Sequence, residues 1–372
     1  MAGSVLRHFK SLHDPRENSG KRHSLSGMLT VAICAVICGA QGWTDIEEFG
    51  ISRLSWFKTF LDLPHGIASH DTFGRLFAAI RPAAFERCFL RWVKSLVKAS
   101  KGRLIAIDGK TLRHSFDQAA GRSAIHMVSA FASANRLVFG QLKTAAKSNE
   151  ITAIPQLLKL LDLHDAVVTI DAMGCQKAIA GEIVGQHADY VLGLKENQGT
   201  LHAKVKTLLD EAIAQKFKGL SGDCHSESCK GHGRVETRTC WCTPEVHWLK
   251  GIGHWPGLKS VLAVDSTRRM AGQKTVERRY FISSLAGDDA QQLAGVVRGH
   301  WGVENPLHWT LDVTFNEDQS RVRKGHAAEN LSRLRRIALN MLQRETSGTR
   351  SIRLKRLKAG WDHDYLLQIL QT

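Results

Sequence analysis

Two short apolar stretches that each end in an aspartate or Asp-Gly pair decide the fold: LIAIDG at residues 104–109 and VVTID at residues 167–171. Apolar runs of this length, bounded by turn residues, are typical of buried strands. The flanking pattern predicts further strands and helices, at 126–133, 137–143 and 190–194 and at 148–161 and 176–186. The order β-β-β-α-β-α-β predicts an α/β fold with a mixed sheet flanked by helices.

The chain on either side of these strands has a different pattern. Residues 1–97 carry apolar residues at helical spacing, which predicts an N-terminal helical domain before the first part of the core at 103–200. Residues 201–294 hold a helix followed by Gly-rich, strand-like segments and predict a β-rich insertion. Residues 295–372 are largely helical and basic, and we expect them to complete the core.

The chain carries a strong positive charge. Its 372 residues include 51 Lys and Arg but only 35 Asp and Glu, a formal net charge of +16. Residues 321–358 alone contain twelve Lys and Arg and two acids. Concentrated positive charge favours a polyanionic partner such as DNA, and we expect the basic C-terminal helices to form a DNA-binding surface. The 43% content of hydrophobic residues excludes a mostly disordered chain.

The sequence also bears on the compartment. The longest apolar run, 28–40, is shorter than the about 20 residues that a membrane span needs. Residues 1–23 contain no apolar core typical of a signal peptide. The eight cysteines are scattered, as expected of reduced thiols. We therefore expect a cytoplasmic protein with no membrane partner.

Three acids form a candidate catalytic site. Asp108 and Asp171 end two predicted strands, and Glu304 follows the insertion in the segment HWGVENP. Side chains at strand ends converge on a crevice in α/β sheets. Converging carboxylates repel one another unless cations lie between them, and two divalent cations about 3.5–4 Å apart are suited to phosphodiester chemistry. Taken singly, Asp108 is better explained as a turn residue, and Asp171 and Glu304 as a helix cap and a surface acid are open alternatives. Only the combination of the three in this order favours a catalytic site.

Eight segments, spread over nearly the whole chain, carry a resemblance to a known family. They are DPRENSGKRHSL (14–25), PHGIASHDTFGRLF (64–77), IAIDGKTLR (105–113), TIDAMGCQ (169–176), LKENQ (194–198), GHGRVETR (231–238), RYFISSL (279–285) and HWGVENPLHWTLDVTFNEDQSR (300–321). In these segments the chain resembles the DDE transposases of bacterial insertion sequences, and more narrowly the H-repeat-associated group. One such motif would be weak, but this many in family order are specific.

The resemblance implies an RNase H-like catalytic domain whose metal ligands and catalytic residues are Asp108, Asp171 and Glu304. It implies Mg²⁺, with Mn²⁺ as an alternative, and cleavage of element-end DNA followed by transfer of the 3′-OH to target DNA. Joining two ends in one event implies a homodimer or a larger assembly. Two other functions stay open: a decayed or domesticated DNA-binding relative, and a nuclease without strand transfer.

The segment around Glu304 departs from a signature of the broader superfamily. The Arg four residues before the glutamate and the Lys seven after it are replaced here by His300 and Leu311. Arg298 or Arg321 are candidate substitutes as phosphate contacts. Pro306 is disfavoured inside a helix, so we expect it in the first turn of a helix capped by Asn305.

Several other residues near the acids are candidate DNA contacts. The full set is Lys110, Lys195, Asn197, Gln198, Arg234, Arg298, His300, Trp301, His308, Arg321 and Arg323. Trp301 and Trp309 are interpreted as core residues, with base stacking as the alternative. The nearby Glu317 and Asp318 are interpreted as surface acids or as supports of a metal ligand.

The insertion contains two further patterns. Cysteines and histidines cluster between 224 and 242, but their spacing is a poor match to zinc sites, so free thiols are favoured over zinc. Arg234, Glu236 and Arg238 share one strand face, which is typical of a contact with a phosphate backbone or of a salt-bridge ladder.

Overall fold

The computed structural model describes residues 4–17, 21–96, 103–116, 121, 123–133, 136–144, 150–231, 234–248, 254–270 and 273–372. Its strands are β1 (Arg103–Leu112), β2 (Ile125–Ala132), β3 (Leu137–Lys143), β4 (Ala166–Ile170), β5 (Asp189–Leu194), β6 (Asp223–Gly231), β7 (Arg234–Thr243), β8 (Ser260–Met270) and β9 (Gln273–Ser283). They form one sheet in the order β3-β2-β1-β4-β5-β9-β8-β7-β6.

The sheet is mixed. Strand β1 pairs antiparallel with β2 and parallel with β4, and β4 pairs parallel with β5. All pairs from β5 through β9 to β6 are antiparallel. This confirms the predicted mixed α/β fold, and it shows that the strands of the β-rich segment extend the core sheet through the β5–β9 pair.

Two strands differ from the prediction. Strand β1 continues to Leu112, because β2 pairs with it as far as the Leu112–Ile125 position, so Asp108 lies within the strand and not at its end. Strand β6 is missed by the sequence pattern. Its residues are mostly polar and exposed, since it forms the outer edge of the sheet and has no apolar face to reveal it.

The helices lie against both faces of this sheet and in a layer beside it. They are α1 (Ser4–Phe9), α2 (Leu25–Cys38), α3 (Trp43–Ser52), α4 (Leu54–Phe57), α5 (His70–Ala79), α6 (Pro82–Leu96), α7 (Glu150–Leu158), α8 (Lys177–Gly185), α9 (Gly199–Ala214), α10 (Ala290–His300), α11 (Ala327–Arg344), α12 (Ile352–Trp361) and α13 (His363–Gln371). A π-helix, Val303–Thr314, follows α10. Helix α11 contacts α2, α5, α6 and strand β3.

Helix α2 shows how local signals and packing agree. The Ser24 hydroxyl accepts a hydrogen bond from the Gly27 N–H at 3.1 Å, and the helix ends at Gly39, whose φ of +122° favours glycine. Residues 27–37 are buried, since the helix packs against α3, α11 and α12. Among the described helices, none alone is long and apolar enough to span a membrane, although α2 and α3 together pass that test as a pair bent by 98°.

The interpretation of the basic C-terminal run as a DNA-binding surface is wrong for five of its residues. Arg333, Arg335, Arg336, Lys355 and Arg356 are buried inside the helical layer. They pair with acids and carbonyl oxygens, some near in sequence and others, such as Glu86 and Ile37, from distant parts of the chain. Arg333, for example, donates to the Glu86 carboxylate at 2.6 Å and to that of Glu329 at 2.9 Å. These cations therefore hold helices together.

Candidate functional site

The sheet register brings the two aspartates side by side. Strands β1 and β4 are parallel neighbours, and Ile107 pairs with Ile170, so Asp108 and Asp171 occupy the next position on each. Strand β4 ends there, and the chain enters a 3₁₀ turn at 172–174. The Asp171 carboxylate accepts hydrogen bonds from the N–H groups of Met173 at 3.1 Å and Gly174 at 3.4 Å, which fixes its direction.

Glu304 lies in the first turn of the π-helix Val303–Thr314. Pro306 is in that first turn too, where backbone N–H groups have no partner within the helix, so the ring breaks no hydrogen bond. The prediction of the first turn is therefore confirmed. The prediction that Asn305 caps the helix is wrong, because the residue before the helix is Gly302.

The three carboxylates influence one another electrostatically. Burial, together with the negative charges of Asp171, Glu150 and Glu304, raises the pKa of Asp108 to about 7, although a hydrogen bond from the Gly109 N–H opposes the shift. Burial also raises the pKa of Asp171 and that of Glu304. The acids therefore repel one another in a partly dry environment, which is the electrostatic condition that a bound cation relieves.

Two cations near the acids reduce this repulsion only in part. Lys195 lowers the pKa of Asp171, although burial and Glu150 outweigh it. Arg279 likewise lowers the pKa of Glu304, and again burial outweighs it. An oxygen-only donor set with uncompensated negative charge suits Mg²⁺ or Mn²⁺. Within the described ranges no three His, Cys, Asp or Glu side chains are already at metal-binding spacing.

Glu150, at the start of α7, is a fourth acid near the site, and the sequence pattern did not single it out. Its Oε1 lies 2.7 Å from Nε2 of His126, whose Nδ1 is 2.8 Å from the Thr111 hydroxyl. A Cβ atom at position 109 would overlap the Glu150 carboxylate and the His126 ring, so a larger residue after Asp108 would displace these side chains. The glycine of the Asp-Gly pair thus leaves room for Glu150 beside the strand, which the sequence alone did not reveal.

Lys110 joins the strand of Asp108 to the helix of Glu304. Its Nζ lies 2.6 Å from Asp312 on the π-helix and 2.6 Å from Asp318. Only 8% of its side chain is exposed, so the structure gives the predicted DNA contact Lys110 an internal position.

His308, another predicted DNA contact, lies on the π-helix that carries Glu304, and its Nδ1 is 3.5 Å from Asp108 Oδ2. Burial lowers the pKa of His308 to about 4, so its ring is neutral at pH 7.

Four other predicted DNA contacts form hydrogen bonds to protein groups. Asn197 donates to the carbonyl of Ala172 at 2.6 Å and Gln198 to that of Cys175 at 2.9 Å, so both brace the turn after Asp171. The remaining two contact protein groups as well: His300 Nδ1 lies 3.0 Å from the Thr169 hydroxyl, and Arg323 donates to the His114 carbonyl at 3.1 Å.

The remaining predicted contacts are closer to solvent. Lys195 and Arg321 are exposed, and Arg298 pairs with Glu227 at 2.7 Å with half of its side chain exposed. Trp301 lies partly exposed under the Arg279 guanidinium, 4.7 Å from its ring centre. The core interpretation of Trp309 is wrong, since 59% of this residue is exposed. The side chain of Arg234 lies outside the described residues.

A cleft of about 510 Å³ opens past the ends of β4 and β5. Asp171 and Glu304 line it together with His300 and Trp301. Its cationic lining residues are Lys195, Lys206, Arg278 and Arg279. Carboxylates that suit a metal cation and Lys and Arg side chains that suit phosphate therefore line the same cleft.

The predicted surface position of Glu317 is wrong, because this residue is 1% exposed.

The cysteine segment holds no zinc cluster among its described residues. Cys224 lies opposite Trp241 in the β6–β7 pair, so it is on the other face of the sheet from Cys240 and Cys242. All of these thiols are free, and the last two are buried.

Comparison with known proteins identifies the family. A family model described as "Transposase DDE domain" matches residues 99–341. The chain belongs to the DDE transposases. A second family model, described as "DDE_Tnp_1-associated", matches residues 6–93 of this DDE transposase.

Relatives along the full length place this DDE transposase in the H-repeat group. "Putative transposase YncI" of Escherichia coli O157:H7 is 42% identical over 99% of this chain and 95% of its own length. "H repeat-associated putative transposase YhhI" of Escherichia coli strain K12 is 41% identical over 98% of this chain and 97% of its own. A solved piggyBac transposase synaptic complex with hairpin DNA has a TM-score of 0.42 at 10% identity, covering 99% of this chain and 78% of that one.

Proposed function

We propose that this transposase binds the ends of its element, cleaves the DNA there by Mg²⁺-dependent phosphodiester hydrolysis and transfers the freed 3′-OH to target DNA. The observation that carries the proposal is the placement of the acids. Asp108 and Asp171 occupy equivalent positions on neighbouring parallel strands, and Glu304 lies within electrostatic reach of both. Three acids that raise one another's pKa are unfavourable to the protein unless a cation binds between them.

The strand order supports an RNase H-like core. The first five strands run β3-β2-β1-β4-β5, with three antiparallel strands followed by two parallel ones. The acids fall in the middle of β1, directly after β4, and on the helical segment that follows the β-rich strands. On this basis we propose that the three acids act together in an RNase H-like core.

Asp108, Asp171 and Glu304 would hold the divalent cations, Mg²⁺ or Mn²⁺. When bound, these ions stabilise negative charge on the attacking and leaving oxygens of the phosphodiester. The protein's own residues fix the geometry: Asn197 and Gln198 hold the turn after Asp171. The exposed Lys195 is well placed to contact a phosphate beside the acids.

The reaction also defines the assembly. Two element ends must be cut and joined in one event, so we propose at least a homodimer that holds both ends. The DNA of a bacterial cell lies in the cytoplasm, and we propose that the protein acts there.

The test uses purified protein, Mg²⁺ and a labelled duplex that carries the inverted repeats flanking the gene. We expect nicks at the repeat end and joined products. Asp108→Asn, Asp171→Asn and Glu304→Gln should each abolish both products while DNA binding persists. Glu196→Gln, which removes an exposed carboxylate beside the cleft, is the matched control and should behave as the unaltered protein.

Each outcome selects one function. Nicks without joined strands would indicate a nuclease, and DNA binding without nicks would indicate a decayed DNA-binding relative. Unchanged cleavage by Asp108→Asn would contradict the assignment of the site.

A further inference from the structure

Strands β6 to β9 project past the acid site as a four-stranded ribbon. Strand β9 pairs with β5 only through residues 280–283, so residues 273–279 continue beyond the end of β5. Seven residues of extended chain span about 23 Å. Because β9 is antiparallel to β5, this extension lies beyond the same end of the strands at which Asp171 follows β4.

The two faces of the ribbon differ in how their charges are paired. On one face, the paired face, Glu236 pairs with Arg238 at 2.8 Å and with Arg268 at 3.2 Å. Further along this face, Arg279 pairs with Glu277 at 2.8 Å. The sequence left a phosphate contact and a salt-bridge ladder open here, and the structure gives Glu236 and Arg238 the salt bridge.

The opposite face, the open face, carries cations without acids. Side chains alternate along strands, so register defines two neighbouring rows on this face. The outer row is Lys230, Val235, Arg269 and Lys274, and the next is Ser228, Thr237, Thr267 and Val276. Neither row contains a carboxylate, and every residue in them except the partly buried Thr237 and Thr267 is exposed.

The three cations of the outer row have no protein partner among the described residues. Lys230, Arg269 and Lys274 make no hydrogen bond or ion pair there, whereas the described cations of the paired face all do. Arg269 and Lys274 are also directly opposite each other in the β8–β9 pair. Like charges in that position destabilise a sheet, so the arrangement calls for an external anion.

We propose that the open face of the ribbon binds the phosphate backbone of duplex DNA. The inference rests on the proposed function and assigns it a binding surface. The outer row crosses four strands, about 14 Å, and duplex DNA carries one negative charge per about 1.7 Å of its axis. Lys230, Arg269 and Lys274 therefore face several phosphates at once. The hydroxyls of the second row add the uncharged donors that phosphate oxygens commonly accept from.

Toward the core, the open face ends against α9. Arg278 pairs with Asp265 at 2.6 and 2.7 Å and with Asp210 of α9 at 2.8 Å. The acids belong to the other face, because Thr169, two residues before Asp171, pairs with Val191, and Val191 pairs with Ser283, which shares the face of Arg279. DNA on the open face therefore lies outside the acid cleft, on the part of the ribbon that extends beyond α9.

The experiment measures the Kd for a labelled duplex of about 30 base pairs over a salt series, in EDTA so that no cleavage occurs. The test protein carries Lys230→Gln, Arg269→Gln and Lys274→Gln. The control protein carries Arg87→Gln, Lys94→Gln and Lys159→Gln, which removes the same charge from exposed positions near β3, at the other edge of the sheet.

We expect the test protein to bind on the order of tenfold or more weakly near 0.1 M salt. Its plot of log K against log salt should be shallower by about 2–3, because each lost phosphate contact removes about 0.9 from the slope. The control should change neither quantity comparably. Melting temperatures of both proteins establish that the loss is not unfolding, and the test protein should melt no lower than the unaltered one, since its opposed like charges are gone.

Two results would overturn the inference: equal slopes for the test and unaltered proteins, or equal losses in the test and control proteins. Tighter binding of an RNA duplex than of DNA would overturn it as well. Since no metal is present, the outcome is separate from the cleavage test. A protein that fails to cleave but loses binding only through the open face would keep this inference and reject the proposed activity.

Discussion

The acid site and the interior beneath it treat buried charge in opposite ways. At the acid site, burial and neighbouring carboxylates raise the pKa of Asp108 to about 7. At Glu317, burial acts in the same direction, but Arg336, Arg335 and Lys110 overcome it and lower the pKa to about 2. At the acid site the negative charge exceeds the nearby positive charge, whereas around Glu317 the protein's own Arg and Lys side chains balance it.

The difference separates architecture from function. Where the chain supplies both charges, as between Glu317 and Arg336 at 2.9 Å, the pair fixes helices in one arrangement. At the acid site Lys195 and Arg279 offset the carboxylates only in part, and in the proposed function a cation from solution completes the balance. Lys110 links the two regions, because it lies two residues from Asp108 on β1 and its Nζ is 3.8 Å from Glu317 Oε2. The balanced region therefore holds the unbalanced one in place.

The largest expected effect comes from breaking the balanced region. Glu317→Gln removes the acid shared by Arg336, Arg335 and Lys110 and leaves buried cations uncompensated. We expect a loss of about 3–5 kcal/mol in the free energy of unfolding, measured by denaturant titration. Lys94→Gln, at an exposed pair, is the control and should change stability by less than about 1 kcal/mol. Similar losses of unfolding free energy in Glu317→Gln and Lys94→Gln would contradict the claim that the charges around Glu317 stabilise the fold.

Replacing a carboxylate of the acid site by an amide should instead raise the free energy of unfolding. The pKa of Asp108 is about 7 in the folded protein and about 4 in an unfolded chain. The folded state therefore holds this proton more tightly, and stability falls as the pH rises from about 4 to above 7. In metal-free protein at pH 8, Asp108→Asn should raise the free energy of unfolding by roughly 1–3 kcal/mol.

At pH 5 that gain should fall to about a third, because the carboxyl of Asp108 is still protonated in the folded state while in the unfolded chain it is already mostly ionised. Denaturant titrations at both pH values measure the difference. A loss of stability at pH 8 would mean that the carboxylate is already compensated within the protein.

A smaller effect should come from the exposed Lys195. Its charge lowers the pKa of Asp171 against the effect of burial, so Lys195→Gln should raise that pKa further. The midpoint of Mg²⁺ binding against pH should then move up by a few tenths of a unit, a size typical of exposed charges. Glu196→Gln should move it slightly in the other direction. A downward shift for Lys195→Gln would contradict the electrostatic account.

Much of the fold follows from local pattern. The bounds of β3 are the predicted 137–143, and local capping also sets helix starts, since the Ser69 hydroxyl accepts from the Thr72 N–H at 3.3 Å at the start of α5. The three acids also stand out by position, because each follows or accompanies a recognisable apolar segment. Such features depend on residues a few positions apart, which the sequence displays directly.

The errors concern residues whose partners are far along the chain. In the sequence, Arg333 belongs to a basic run that is typical of a DNA-binding surface. Only the structure shows that its partner is Glu86, 247 residues away, so that its side chain is internal. Lys110 is similar, since Asp318 lies 208 residues away. The partner of a long cationic side chain is set by tertiary packing, so charge counts alone overstate the binding surface.

The most direct test of the central claim is a calorimetric titration of Mg²⁺ into the purified protein at pH 7.5. The account predicts binding by the unaltered protein and by Glu196→Gln, and strongly weakened binding by Asp108→Asn, Asp171→Asn and Glu304→Gln. Binding of equal strength in Asp108→Asn would contradict it, because the missing charge of the acid site would then come from somewhere other than a cation held by these three acids.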